Sequence, residues 1–81
     1  MARVVLTAPF DARFFGGVGE LEIPASDLFA LVRALDLRAP GFALAVEEGG
    51  LLAVDGEAAA DWSVALRDDA EVLVVPRIAG G

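Results

Sequence analysis

The chain contains no cysteine and no histidine, and it also lacks lysine, tyrosine, asparagine and glutamine. Each absence closes a class of chemistry. Without cysteine there is no disulfide to staple a small fold and no thiolate to hold zinc. Without histidine the commonest metal ligand and acid–base group is missing. The remaining hydroxyl nucleophiles are Thr7, Ser26 and Ser63, and none has a nearby base of suitable pKa. A self-contained enzyme would have to be built from Asp, Glu and Arg. Without lysine, no side-chain amine of this chain can accept an isopeptide bond. Long apolar runs are absent as well: no stretch approaches the roughly 18 residues of a membrane span.

What is present is a small, apolar, acidic chain. Its 81 residues make one small domain. A chain of this size buries only roughly 60–65% of its unfolded surface, so its core margin is thin. The 57% hydrophobic content has to supply that core. The start, Met1-Ala2-Arg3-Val4-Val5-Leu6-Thr7, is too short an apolar run for a signal peptide, and Pro9 and Asp11 follow at once. The expectation is a soluble, cytoplasmic protein with no membrane association. The net charge of −7, from 13 acidic and 6 basic residues, argues against nucleic acid, whose phosphates need clustered cations. It suits either a basic protein partner or plain solubility.

The order of elements reads from apolar periodicity and breakers. Val4-Val5-Leu6-Thr7 is a first strand. Residues 9–17 read as the loop of a wide hairpin, with Gly16, Gly17 and Gly19 permitting its turns. Residues 18–23 are a second strand, its alternation cleanest at Leu21-Glu22-Ile23. A helix then opens, with Ser26 as the expected N-cap. Leu28, Leu31, Val32 and Leu35 share one of its faces. Pro40-Gly41 ends it. Phe42, Leu44 and Val46 alternate with Ala43 and Ala45, which predicts a third strand; Gly49-Gly50 then turns the chain. Leu51-Leu52-Ala53-Val54 is a fourth strand, and Asp55-Gly56 a tight turn. Residues 57–65 are ambiguous, with Trp62 and Leu66 packing inward. Residues 71–75 form the last strand, expected at the centre of the sheet and parallel to the first.

Gly80-Gly81 is the expected reactive end. A carboxylate behind two residues without side chains can enter a narrow enzyme channel and be activated there as an acyl-adenylate. Fully extended, the four residues from Ile78 reach roughly 13 Å. Arg77 is expected to meet an acidic rim on a partner, and Ile78 an apolar pocket, with Ala79 and Gly80 completing the arm. In the last strand, Val72 and Val74 facing the helix would turn Leu73 and Val75 to the other face. That second apolar face is either covered by other chain segments or a docking patch for partners. Phe10, Phe14 and Phe15 either extend such a patch or cap the core.

The order β-β-α-β-β-β with a Gly-Gly tail resembles the ubiquitin-like β-grasp family. Within it, Val54-Asp55-Gly56-Glu57, the run Leu66-Arg67-Asp68-Asp69-Ala70-Glu71-Val72 and the ending Pro76-Arg77-Ile78-Ala79-Gly80-Gly81 resemble the molybdopterin-synthase small subunit and thiamine sulfur carrier group. Three features depart from that group: Asp69-Ala70 replaces its usual Gly-Asp, Arg77 often has Pro as its counterpart, and the insertion-like Glu47-Glu48-Gly49-Gly50 hairpin makes the middle of the chain less typical. The resemblance implies an α+β fold, a mixed sheet of about five strands with one main helix on one face. It implies a β-grasp domain over 1–76 and a flexible tail over 77–81. It also implies a sulfur carrier, a non-catalytic co-substrate or small subunit that binds no cofactor of its own. An E1-like adenylating enzyme would use ATP to adenylate the Gly81 carboxylate, which then becomes a thiocarboxylate. The partners implied are that enzyme and a sulfur-accepting enzyme such as a molybdopterin synthase large subunit. Three alternatives accompany this reading: a carrier for thiamine or another sulfur product, a protein modifier forming isopeptide bonds through Gly81, and a non-reacting interaction module.

Overall fold

The computed structural model describes residues 1–77. In chain order the elements are β1 (Ala2–Leu6), α1 (Phe10–Phe15), β2 (Glu20–Ile23), α2 (Leu28–Arg38), α3 (Phe42–Gly49), β3 (Gly50–Val54), β4 (Glu57–Ala58) and β5 (Glu71–Pro76). The strands form one sheet of order β2-β1-β5-β3-β4. β1 and β5 run parallel at its centre, with Val4 beside Val72 and Leu6 beside Val74. β2 pairs antiparallel with β1, and β3 antiparallel with β5. Ala2, Val4 and Leu6 of β1 and Val72 and Val74 of β5 point to one face and are buried there. All three helices contribute to the core over that face, through Phe10, Leu28, Leu31, Val32, Leu35, Phe42 and Val46. The predicted α+β sheet with a main helix on one face is therefore present, with β1 and β5 parallel and central.

α2 forms where the i, i+3, i+4, i+7 pattern predicts it, and all four of those residues are buried. Its N-cap is Asp27, not Ser26. The Asp27 backbone is extended, and its carboxylate accepts a hydrogen bond from the Ala30 amide at 2.8 Å. Ser26 is used differently: its carbonyl accepts from the Leu66 amide. The remaining free amides of the first turn are met by the 57–65 segment, since Leu28 donates to the Val64 carbonyl and Phe29 to that of Trp62. Asp27→Ala is expected to cost about 1 kcal/mol. In a domain of this size that lowers Tm by roughly 4–8 °C, which thermal denaturation followed by circular dichroism would read.

Two stretches differ from the expected elements. Residues 42–46 are the start of helix α3, not a strand. Phe42 and Val46, four apart, are buried while Leu44 is 59% exposed, which is a helical face and not an alternating one. The alanines between them favour a helix as readily as they fill an alternating pattern. The N-terminus of α3 is tied down from a distance: the Asp36 carboxylate accepts from the Gly41 and Ala43 amides at 3.2 and 3.0 Å. Gly49-Gly50 is consequently the end of a helix entering β3, not a hairpin turn. The expected loop over 9–17 holds α1, which ends on Gly16 in the left-handed conformation at φ 62°. The sheet still has five strands because β4, within the ambiguous 57–65 stretch, replaces the strand expected at 42–46.

The Asp55-Gly56 turn is as predicted. Both residues have positive φ, 49° and 88°, as a two-residue hairpin of the mirror-image type requires. The 67–70 turn closes without left-handed backbone, by a hydrogen bond from the Ala70 amide to the Arg67 carbonyl. Phe42 sits at the middle of an aromatic cluster, with Phe10, Phe14 and Phe15 edge-on at 6.3, 5.5 and 5.4 Å. These phenylalanines therefore cap the core. Trp62 is half-buried and packs edge-on against Phe29. Beside it, the Asp61 carboxyl is held below its ordinary value by the Ser63 hydroxyl and then by the Ser63 amide. A depressed carboxyl stabilises the fold above its unfolded pKa, and that contribution fades as pH falls through the folded one. Asp61 is fully exposed, so the effect is slight.

Candidate functional site

With the helices all on one side, the opposite face of the sheet carries none of them among the described residues. Leu73 and Val75 of β5 lie there, half-buried, as the alternation predicts. The register puts Val5 and Ala53 beside Leu73, and Leu51 beside Val75. Leu51 is 37% exposed. These five residues make a continuous apolar strip across β1, β5 and β3 on the outer face.

The strip has a charged boundary at the start of β5. Arg3 lies between Glu20, at 2.6 Å, and Glu71, at 3.2 Å. Its guanidinium pKa is pushed up further, chiefly by the hydrogen bond to Glu20. All three side chains are about half exposed, so the cluster fixes orientation more than it stabilises. Asp55 anchors the same end. Its carboxylate accepts from the Glu71 amide at 2.9 Å, and its amide donates to the Glu71 carbonyl at 2.8 Å.

The other end of β5 is held on both flanks. On the β1 side, the Thr7 amide and hydroxyl both donate to the Val74 carbonyl, at 3.1 and 2.7 Å. On the β3 side, the Arg77 amide donates to the Gly49 carbonyl at 2.8 Å, and Arg77 Nη2 donates to the Gly50 carbonyl at 3.1 Å. The strand thus remains hydrogen-bonded up to Arg77. Of the sequence-predicted site residues, Leu73, Val75 and Arg77 come together along one strand. Ile78, Ala79, Gly80 and Gly81 lie outside the described residues. The contributions of Thr7, Asp55 and the Gly49 and Gly50 carbonyls have no signature in the sequence, because each depends on sheet register.

The concave parts of the surface lie elsewhere. A cavity of about 500 Å³ borders Phe29, Trp62, Arg33 and Ala43, and another of about 430 Å³ borders Val54, Glu57, Ala59 and Val64. Neither brings together a set of groups for acid–base or nucleophilic work. Among the described residues no polar or charged side chain is buried, and no three carboxylates are grouped to hold a metal ion. No helix among them is long and apolar enough to cross a membrane.

No protein-family profile matches the chain, and no curated protein sequence does. Solved structures do match it. CysO of Mycobacterium tuberculosis, described as an antigen, superposes with a TM-score of 0.84 over 96% of this chain and 100% of its own, at 14% identity. A chain of the BexX/CysO complex of Amycolatopsis orientalis gives 0.81, covering 100% of both chains at 17% identity. Small archaeal modifier protein 1 (SAMP1) of Methanosarcina acetivorans gives 0.78 over 99% of this chain and 95% of its own, at 18% identity. The fold is the ubiquitin-like β-grasp. At these identities the likeness is one of backbone, and most side chains differ. Within this β-grasp, β5 is the strand that leads to the Gly80-Gly81 end.

Proposed function

We propose that this β-grasp domain is a sulfur carrier whose reacting group is the Gly81 carboxylate. One observation carries the reading: Gly80-Gly81 lies three residues past Arg77, at the end of a central strand that β1 holds as far as Val74 and β3 as far as Arg77. A firmly held strand presents the arm, and two glycines give the thinnest chain for a narrow channel. The likeness to CysO, to a chain of a BexX/CysO complex and to a modifier protein supports a role exercised on partner proteins.

In this role an E1-like adenylating enzyme binds the domain and ATP. A Gly81 carboxylate oxygen attacks the α-phosphorus and pyrophosphate leaves. The product is a mixed anhydride, a far better electrophile than a carboxylate. Sulfur then attacks the carbonyl carbon and AMP departs with the oxygen. If the sulfur comes from hydrosulfide, the thiocarboxylate forms directly. If it comes from a persulfide, a thiol must then cleave the S–S bond. Water has to be excluded while the anhydride exists, so the partner must close around the arm. The domain itself performs no catalysis and binds no cofactor. The acceptor we favour is the precursor of molybdopterin on a molybdopterin synthase large subunit, with thiamine biosynthesis the alternative. The likeness to an archaeal modifier protein favours a second reading, in which Gly81 forms isopeptide bonds with lysines of other proteins.

The outer strip of Leu73, Val75 and Leu51 is the docking surface in this proposal. Leu73→Glu or Val75→Glu is expected to raise the concentration needed for half-maximal activation roughly 5- to 30-fold, the effect of losing one good interface contact. Neither residue faces the core, so Tm should move little. The proposal as a whole is tested by ATP–pyrophosphate exchange with E1-like enzymes of the same organism. Exchange that depends on this protein supports it; no exchange with any of them rejects it. High-mass protein conjugates formed after activation would favour the modifier reading over the carrier.

A further inference from the structure

The end of β5 carries a feature that a simple tail does not require. Arg77 is surface-exposed and belongs to the segment expected to meet a partner's acidic rim, yet its guanidinium is used within the chain. Nη2 donates to the Gly50 carbonyl at 3.1 Å while the backbone amide of the same residue donates to the Gly49 carbonyl at 2.8 Å. One residue therefore makes two bonds to two successive carbonyls of the neighbouring strand entry. We propose that Arg77 is a positioning residue, a clamp that fixes the end of β5 to the start of β3 just ahead of the reactive residues in sequence. The inference rests on the sulfur-carrier reading for its purpose, but not for its geometry.

The carbonyls that Arg77 uses are themselves fixed by the core. Gly50 is buried, and a Cβ placed there would lie 2.9 Å from the Val46 Cα, 3.1 Å from the Val46 carbonyl oxygen and 3.2 Å from the Phe10 ring. Val46 and Phe10 are core residues, 2% and 3% exposed. The Gly50 amide donates to the Val46 carbonyl, which closes the end of α3. Position 50 is thus a close contact between the last turn of α3 and the first residue of β3. The chain of constraint runs from the aromatic core through Val46 to Gly50, and from its carbonyl to Arg77. The next residue along is the first of the arm.

Arginine suits this work better than lysine. Its planar guanidinium is preorganised, so less freedom is lost per hydrogen bond formed. A charge whose task is to pair with a partner would be served by either. This distinguishes the clamp from the expected acidic-rim contact. A clamp acts on the free protein and is indifferent to the partner's charge. A rim contact acts only in the complex and weakens with salt.

The test compares wild type, Arg77→Ala and Arg77→Lys in the intact chain. Amide hydrogen exchange at residue 77, read by NMR on the free protein, needs no partner. Arg77→Ala should speed that exchange about three- to tenfold, the equilibrium weight of one ordinary hydrogen bond. Arg77→Lys should recover part of the loss, and exchange at Val72 and Val74 should not change. Unchanged exchange at residue 77 in Arg77→Ala overturns the clamp. In ATP–pyrophosphate exchange, Arg77→Ala should raise KM by a similar three- to tenfold factor, with the same factor at low and high salt. A KM difference that disappears at high salt overturns the proposal in favour of a rim contact. If wild type itself supports no exchange, the sulfur-carrier reading fails, and the amide measurement alone decides the clamp.

Discussion

Removing Gly80 and Gly81 is expected to reduce activation by more than a hundredfold while leaving the thermal unfolding of the domain where it is. The reacting carboxylate would then belong to Ala79. It would stop about 7 Å short of its former position, at two residues of extended chain. Misplacement of a reacting group by even ~1 Å costs on the order of a hundredfold, and the methyl group of Ala79 would meet a channel shaped for glycine. Stability should not follow, because the described strands and helices all lie between Ala2 and Pro76. Appending a single alanine after Gly81 should be nearly as damaging, since it puts a side chain at the reacting position. Pyrophosphate exchange and thermal denaturation, run on the same preparations, separate the two effects. A truncated chain that is still activated would mean that the Gly-Gly end is not the reacting group.

The second large effect lies in the core. Phe42→Ala is expected to cost about 3–5 kcal/mol, much of the total stability of a domain this small. Phe42 is wholly buried and meets three other phenylalanine rings edge-on. Its removal should lower Tm by at least ~12 °C. Leu44→Ala is the informative companion. If residues 42–46 were a strand, Phe42, Leu44 and Val46 would all face inward, and the leucine would cost nearly as much. In helix α3, Leu44 is on the exposed side, so its replacement should fall within about 0.5 kcal/mol. Denaturant unfolding of the two variants thus checks the packing and the element assignment together.

Residue 44 also shows where the sequence stops being legible. The run Phe42-Ala43-Leu44-Ala45-Val46 alternates large and small, and alanine reads as the less apolar partner. Alanine is also the best helix former, and i, i+4 burial of Phe42 and Val46 is satisfied by the same letters. Five residues are too few for periodicity to decide between them. The deciding contact comes from elsewhere in the chain, where Asp36 caps the start of α3. α1 escaped for a similar reason. Its six residues offer only Phe10 and Phe14 one turn apart, although Asp11, Arg13 and Gly16 stand where helix ends favour them.

The strongly patterned elements were readable. α2 has four apolar positions over two turns, β1 and β5 are rich in β-branched residues, and Asp55-Gly56 is close to unique to its turn type. From these, the parallel central pair and the outward turn of Leu73 and Val75 follow. What holds the end of β5 was not readable. Thr7 on Val74, Asp55 on Glu71 and Arg77 on Gly50 join residues 67, 16 and 27 positions apart. Such contacts depend on register, and register is set by the whole sheet. In the sequence alone, Arg77 reads as a charge offered to a partner. Its bond to Gly50 becomes visible only when the close approach of α3 to β3 is known.

The carrier reading reduces to the chemical state of one carboxyl group. The most direct measurement is the intact mass of this protein after incubation with an E1-like adenylating enzyme of the same organism, ATP and a sulfur source, followed by mass analysis of its C-terminal fragment. The account predicts a gain equal to replacement of one oxygen by sulfur, located at Gly81, dependent on ATP and absent from the chain lacking Gly80 and Gly81. An unchanged mass under conditions where the same enzyme consumes ATP with this protein, or sulfur found at any other residue, would contradict it.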